Sequence, residues 1–337
     1  MKLVSIPAYI SKVPLEPIDL KNSIILIEEG NNEYLIGEAA MSVAPDSTRR
    51  FGGTLSRPEY RRLLKALVAA TLGEGDHVIA SSALAAAIPY VEEIRSGPGK
   101  TEFAPEQEQL LRDALSEIKF RSNKSDEKIK ICRVTLVESP RIYHELQGVH
   151  FALPSQLRSY VTWQLGHGDW QQAVFVDGNP MRDGFQRAEG IAGAVRRLAS
   201  IRGLSPAEAD KAWRTGRMPA PGQMGGMTVS CDEDKRKALK QHINAVIGKL
   251  LNAVEPWRER VNNIVLSGGA AKDSSVYEIL AEEVEADGIY KLHRIDNLPI
   301  KDERCEDPSM TCVRGMLSHH ALALDVGNSF LKAGYLG

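Results

Sequence analysis

Apolar runs separated by short polar turns divide the chain into alternating strand-like and helix-like segments. KLVSIPAYI at 2–10 and SIILIEEGNNEYLIGE at 23–38 are strand-like, and EEGNNE between two apolar runs predicts a hairpin turn. SRPEYRRLLKALVAATL at 56–72 changes to a helical period, with Ser56 as N-cap and Pro58 near the first turn. HVIASSAL follows as a short buried strand, and SALAAAIPYVEEI predicts a helix. A charged helix is expected over 105–118. KIKICRVTLVESP at 128–140 alternates as a strand, and RIYHELQG reads as the start of a helix.

The second half repeats the alternation. SYVTWQLGHGDWQQAVFVDG at 159–178 predicts two strands joined by a glycine turn. FQRAEGIAGAVRRLASIRG at 185–203 predicts a helix ending at Gly203. A short basic helix is expected over 206–218, a loop over 220–228 and one long helix over 233–255. Ile243, Ile247, Leu250, Leu251 and Val254 fall on one face of that long helix, and Pro256 ends or kinks it. NNIVLSGGAA at 262–271 is a buried strand opening into a glycine turn, with the helix SSVYEILAEEV after it. A helix over 309–321 feeds a hairpin in ALALDVGNSFLKAGYLG. Alternating strands and helices give the class α/β. The two glycine hairpins, near 166 and 327, suggest two lobes of related design.

Composition narrows the class of function. The 337 residues suffice for two domains or one two-lobed unit. Hydrophobic residues make up 43% and charged residues 26%, as in ordinary globular chains. Lys plus Arg is 42 against 44 Asp plus Glu, so there is no basic footprint for direct nucleic-acid binding. Cys132, Cys231, Cys305 and Cys312 make no CxxC pair and no zinc spacing, which fits reduced thiols. MKLVSIPAYISKVPLEPIDL lacks the apolar core of a signal peptide. The longest apolar run, 78–91, is shorter than the roughly 20 residues that span a bilayer. The expectation is a cytoplasmic chain that does not enter the membrane.

Three glycine turns carry candidate chemistry. In Asp325-Val-Gly327-Asn328-Ser329-Phe-Leu-Lys332, an apolar strand delivers an aspartate to its end. Gly327, Asn328 and Ser329 tolerate a tight turn and can aim backbone N–H groups at an anion. Lys332 returns a positive charge to the same place, and Asp325 suits a magnesium ion through water. The same residues also satisfy a plain β-hairpin with Asp325 forming an Asx-turn. Leu165-Gly166-His167-Gly168-Asp169 lies between two strands in the same way and is open to the same plain reading. Ser267-Gly268-Gly269-Ala270 runs from a buried strand toward a helix, where backbone can approach a flat ligand and a helix N-terminus favours anions. A tightly packed strand-to-helix turn has the same sequence.

Taken together, the three turns resemble one family. DVGNSFLKAGY has the D-x-G-x-x-x-x-K-A-G pattern of the phosphate 1 loop of actin and its bacterial relatives. LGHGDWQQAVFVDG is similar to the phosphate 2 hairpin, and NNIVLSGGAAKDSSVYEILAEEV to the adenosine motif. VTLVESPRIY at 134–143 resembles the connecting segment whose polar residue faces the attacking water. YLIGEAA at 34–40 and RRF…LSRPEYRRLLKAL resemble plasmid-segregation actins of the ParM type. In that family phosphate 1 opens the protein, whereas here it follows everything else. MKLVSIPAYI looks like the strand that normally comes after phosphate 1. Joining residue 337 to residue 1 restores the family order, so the resemblance implies a circular permutation.

The resemblance implies the actin-like (ribonuclease H-like) fold: two related lobes with ATP, or GTP, and Mg2+ in the cleft. Lobe I would be 1–158 plus 308–337, and lobe II 159–307. Asp325 would organise the magnesium water shell. Gly327, Asn328, Ser329 and Lys332 would hold phosphate from one lobe, and Gly166, His167 and Gly168 from the other. Ser267, Gly268, Gly269 and Ala270 would line the adenosine, and Glu138 would orient the attacking water. Two departures stand out. The aspartate that begins the family's phosphate 2 loop is Gln164 here, a neutral neighbour for the metal's water. The place where actins often hold a water-directing histidine is Gln171. The amide at Gln164 implies weaker magnesium organisation or slow hydrolysis, and the amide at Gln171 can orient water too. The function implied is an ATPase that polymerises into filaments with copies of itself and reaches DNA through a DNA-binding adaptor protein, for plasmid segregation. A small-molecule kinase of the same superfold would instead need a catalytic carboxylate, with Asp169 and Asp177 the nearby candidates. A non-polymerising ATP-binding scaffold is the third possibility.

Overall fold

The computed structural model describes residues 1–14, 20, 22–28, 32–43, 58–86, 108–109, 111–112, 115–122, 128–220, 228–298, 305–327 and 330–337. They form two compact units, Met1–Leu153 with Met310–Gly337, and Pro154–Ser309. Ser56, expected as a helix cap, residues 105–107, 110, 113 and 114 of the expected charged helix, and most of 220–228 lie outside the described residues. No described helix is long and apolar enough to cross a membrane. All four cysteines are buried.

The first unit begins with β1 (Lys2–Pro7), β2 (Ile10–Lys12), β3 (Ser23–Glu28), β4 (Asn32–Gly37) and the short helix Glu38–Val43. Helix Pro58–Leu72 carries Tyr60, Leu63, Leu64, Leu67, Val68 and Thr71 buried along one stripe, the i, i+3, i+4 spacing of a helix that covers a sheet. Then come β5 (Gly75–Ile79), β6 (Ser82–Ala86), β7 (Ile118–Arg121), β8 (Lys130–Leu136), β9 (Arg141–His144) and helix Glu145–Ala152. The second unit holds β10 (Tyr160–Leu165), β11 (Asp169–Val176), β12 (Asn179–Glu189), helices Ile191–Arg202 and Pro206–Thr215, β13 (Arg217–Pro219), β14 (Thr228–Ser230), helix Asp232–Asn252, β15 (Asn263–Ser267), helix Ser274–Val284 and β16 (Lys291–Arg294). The chain returns to the first unit with helix Thr311–Leu317 and the hairpin of β17 (Leu322–Val326) and β18 (Phe330–Tyr335).

Each unit contains a five-stranded sheet, in the order β1-β18-β17-β6-β9 in the first and β12-β11-β10-β15-β16 in the second. Read in these orders, the two sheets share one pairing pattern: two antiparallel contacts, then two parallel ones. In the second unit the three antiparallel strands follow one another along the chain. In the first, the corresponding strands are β17, β18 and β1. The opening strand therefore pairs with the last one, Lys2 opposite Tyr335. The first unit also carries a six-stranded sheet, β2-β4-β3-β7-β8-β5.

Helix Pro58–Leu72 sets Leu63, Leu64 and Leu67 against Leu26, Ile36, Leu84 and Leu324 in one core. Ile243, Ile247 and Leu250 of the long helix pack with Val161, Trp163 and Leu266 in the other. Leu251 is only partly buried, and the helix ends at Asn252, ahead of Pro256.

Several elements differ from expectation for identifiable reasons. Ser82–Ala86 is a strand rather than the start of a helix: its neighbours β17 and β9 pair with it on both edges, and that context overrides the helix preference of alanine. RIYH is strand β9, held by the same pairing, and the helix begins only at Glu145. Residues 185–189 belong to β12, which pairs with β11 up to Glu189, so the following helix begins at Ile191 and ends, as expected, on Gly203. The helix expected to 118 stops short of β7, and the one over 309–321 is confined to Thr311–Leu317.

Candidate functional site

The first unit's hairpin brings an acid and a base together. Asp325 and Lys332 are direct cross-strand partners. Lys332 Nζ donates to Asp325 Oδ2 at 2.9 Å. Both side chains are nearly closed to water, Lys332 at 13% exposure and Asp325 at 2%. Burial alone would push the Lys332 ammonium down. The charge of Asp325, its hydrogen bond, and the further fields of Glu145 and Cys312 outweigh that and hold Lys332 above its ordinary value. Gly327 N–H closes the turn on Phe330 O at 3.1 Å. Asn328 and Ser329 lie outside the described residues.

Glu138 is at the other end of this sheet. Asp325 is level with Ala85, near the C-terminal ends of the parallel strands β17, β6 and β9. Glu138 N–H donates to Ala80 O, before β6 begins. β6 spans Ser82–Ala86, so Ala80 lies before its first residue and Ala85 next to its last. Glu138 is exposed there, and its charge acts on His320, which also hydrogen-bonds the Tyr143 hydroxyl at 2.9 Å. The acid at the Asp325 end is Glu145, the first residue of the helix after β9. Tyr60 belongs to the same group: burial, then the charges of Asp325 and Glu145, drive its hydroxyl pKa far up, so it stays protonated. Sequence reasoning missed both residues. The signal lay in RIYH: read as a strand, it puts the next acid at a sheet's C-terminal edge, where ligands of α/β proteins gather.

The second unit repeats the hairpin with different charges. Gln164 and Gln171 are cross-strand partners, as Asp325 and Lys332 are. Gly166 N–H bonds Asp169 O at 2.9 Å, the counterpart of Gly327 on Phe330. Gln164 is level with Ser267 in the parallel neighbour, as Asp325 is with Ala85. Charge appears one step further out: Asp169 Oδ2 accepts from Gln171 Nε2 at 2.9 Å and meets Arg187 Nη2 at 2.7 Å. Asp177 lies just beyond the far end of β11, eight residues on or roughly 25 Å along a strand, and pairs with Arg260. It therefore cannot share a site with the turn at Gly166.

This second turn is set against a helix N-terminus. The carbonyls of Gly166, His167 and Gly168 accept from the N–H groups of Ile191 at 3.1 Å, Ala192 at 2.7 Å and Gly190 at 3.2 Å. In a planar trans peptide the next residue's N–H points opposite to the carbonyl. The N–H groups of His167, Gly168 and Asp169 therefore point away from the helix donors that their peptides' carbonyls accept from. Gly190 permits the approach: a Cβ there would lie 2.5 Å from Gly166 O.

At the third turn the residues divide. Ser267 is fully buried, and its Oγ donates to Trp163 O at 3.1 Å, so its side chain serves the sheet. Gly268 has φ of +93° and backs onto Leu165, a conformation and a space that exclude a side chain. Gly269 is exposed, with nothing within 4 Å of where its Cβ would be, and Ala270 is half-buried beside it. Backbone at 269–270 is therefore open to a flat ligand.

Among the described residues no three His, Cys, Asp or Glu side chains cluster as a metal cage. Asp325 is one buried carboxylate in the first unit. A single carboxylate suits magnesium, which commonly takes one or two carboxylates and completes its shell with water and phosphate oxygens.

No family model matches the sequence, and no curated protein matches it. Solved structures do. The archaeal actin homolog Ta0583 superposes with a TM-score of 0.58 at 14% identity, covering 93% of this chain and 96% of that one. A 15-stranded ParM filament from Clostridium botulinum gives 0.60 at 16% identity, over 92% and 90%. Bacillus thuringiensis ParM with AMPPNP gives 0.55 at 14%, over 93% and 90%. At these identities the likeness concerns the fold, and the chain has the actin-like α/β fold that its motifs imply.

Proposed function

We propose that this chain is a polymerising ATPase. It binds ATP with magnesium, hydrolyses it, and assembles with copies of itself into filaments in the cytoplasm. One observation carries the nucleotide part: two hairpins of the same build, each closed by a glycine N–H, one bearing the buried Asp325–Lys332 pair and the other set by its carbonyls on the N-terminus of helix Ile191–Arg202. Lys332 and the N–H groups of the second turn would neutralise phosphate charge, as phosphoryl transfer requires. Asp325 would orient the waters of magnesium, with Gln164 weaker in that role. Gly327, Asn328 and Ser329 would contact phosphate by backbone and side chain, and the open backbone at Gly269 and Ala270 would face the adenosine. Gln171, fixed to Asp169, would hold that carboxylate in place. ATP is preferred to GTP because a neighbour of this fold was solved with AMPPNP.

Filament formation draws support from a neighbour solved as a filament. Plasmid segregation through a DNA-binding adaptor fits the near balance of 42 basic and 44 acidic residues, which leaves no strong field for DNA. High-speed sedimentation with ATP and magnesium, with ADP, and without nucleotide tests the reading. ATP-dependent pelleting above a sharp critical concentration is expected. Protein that stays in the supernatant at every concentration would refute self-assembly and leave an ATP-binding scaffold.

The reading includes a circular permutation. The matched pairing of the two sheets supports it, since only the first unit draws its leading strands from the far end of the chain. A rearranged gene in which residues 320–337 precede residue 1 through a short linker should yield a protein of nearly unchanged stability, because Tyr335 and Lys2 already face each other. Failure of that variant to fold, with the original order intact, would count against the permutation.

A further inference from the structure

We propose that His242 is a positioning residue for the second unit's turn: through two backbone peptides it aims and strengthens the Asp169 N–H offered to phosphate. This rests on the ATPase reading above. An unbroken chain of hydrogen bonds, starting on a buried ring, carries the inference. His242 Nε2 donates to Glu189 O at 3.0 Å. The nitrogen of that same peptide, Gly190 N, donates to Gly168 O at 3.2 Å. The nitrogen of the Gly168 peptide belongs in turn to Asp169, the first residue of β11. Carbonyl and N–H point opposite ways in a trans peptide. The ring N–H, the Glu189–Gly190 peptide and the Gly168–Asp169 peptide therefore follow one another head to tail.

The chain runs in one sense. A carbonyl only accepts, so the proton of the neutral imidazole sits on Nε2. The ring is 3% exposed. Burial, then the charge of Arg197, hold its pKa below the ordinary value, against a backbone hydrogen bond at Gly190. Each hydrogen bond polarises the next, so a donor at the head of the chain makes the N–H at its end a better partner for an anion.

Packing keeps both ends in place. A Cβ on Gly193 would collide with Cε1 of the His242 ring, so the first turn of helix Ile191–Arg202 rests directly on it. Ala194 and Val195 of that helix share a core with Leu239 and Ile243 of helix Asp232–Asn252, which flank His242. At the other end, a Cβ on Gly190 would lie 2.7 Å from Asp169 N. The Asp169 carboxylate is held by Gln171 and Arg187, which fixes the residue that ends the chain. His242 is thus one step behind the turn and acts only through it.

The experiment compares two probes on the full chain, etheno-ATP and ethenoadenosine, which differ only in the phosphates. Fluorescence titration with magnesium is run on wild type, His242→Asn and His242→Gln, with urea denaturation to report stability. The asparagine amide is too short to take the place of Nε2, whereas the longer glutamine amide brings an N–H toward Glu189 O. His242→Asn is expected to bind etheno-ATP about tenfold more weakly, the scale of one impaired hydrogen bond to a charged group, and ethenoadenosine within about twofold of wild type. His242→Gln should recover most of the lost affinity. A residue that serves packing alone would not separate the probes. Equal losses on both probes, no loss of etheno-ATP binding in His242→Asn, or the same loss in both variants overturns this inference while the ATPase reading stands. If wild type binds etheno-ATP alone, recovery by glutamine and not by asparagine decides. Failure of both variants to fold overturns the inference as well, because it assigns the ring to the core. A wild-type chain that binds neither probe overturns both readings.

Discussion

Lys332→Met is expected to cost the fold about 3–5 kcal/mol, the scale seen when one partner of a buried ion pair is removed. Asp325 is the reason. Its side chain is 2% exposed, and the substitution takes away the ammonium 2.9 Å from its Oδ2. A carboxylate left unpaired in that setting must either stay charged at high cost or take up a proton, and both raise the free energy of the folded state at neutral pH. The apolar packing of the Lys332 stem survives in methionine, so the loss reports on the charge. Removing both partners, as in Asp325→Leu with Lys332→Met, should recover much of it, since no buried charge remains. Urea denaturation at fixed pH checks all three chains; a Lys332→Met loss below about 1 kcal/mol would rule out the buried pair described here. The pH dependence has a definite sign. Lys332 titrates above its unfolded value of about 10.4, so its contribution is full below that pH and disappears only as pH rises through the still higher folded value. Stability between about pH 6 and 9 should therefore show no step from this group.

The strong periodic signals are legible in the sequence. The stripe of Leu63, Leu64, Leu67 and Val68, the hairpins around 166 and 327, and the stop at Gly203 all depend on local chemistry: helical spacing, a tight turn, a left-handed cap. What escapes is decided by partners distant in sequence. Ala83, Leu84 and Ala85 suit a helix on propensity and form a strand because β17 and β9 flank them. RIYH is too short to declare itself, and reading it as the start of a helix leaves the expected strand ending at Pro140, ahead of β9. The charge pattern of the second hairpin is half legible. Gln164 and Gln171 stand out as neutral, but the Asp169–Arg187 pair depends on β12 lying beside β11, where the sequence predicts a helix from 185.

Gly315→Ala is expected to destabilise the chain by about 3 kcal/mol, the upper part of the usual overpacking penalty, although alanine is the better helix former by up to about 1 kcal/mol. Helices Thr311–Leu317 and Glu145–Ala152 meet with backbone against backbone. A Cβ on Gly315 would fall inside the Gly148 carbonyl and lie 2.7 Å from Ala152 N, and neither atom can rotate aside. Gly148 faces the same contact from the other helix, where a Cβ would come within 2.5 Å of Cys312 Sγ and 2.9 Å of Cys312 O. Relief requires moving one helix bodily, and helix Glu145–Ala152 starts at the residue whose charge acts on Lys332. The damage should therefore reach the hairpin as well as the helix pair. Gly248→Ala is the control: it lies in helix Asp232–Asn252 with nothing within 4 Å of its Cβ position, so propensity acts alone and a gain is expected. Thermal or urea unfolding of the two variants should move in opposite directions. If Gly315→Ala matched Gly248→Ala in sign, the two helices would have to be farther apart than Gly148 and Gly315 place them, and Glu145 would lose its fixed position at the sheet edge.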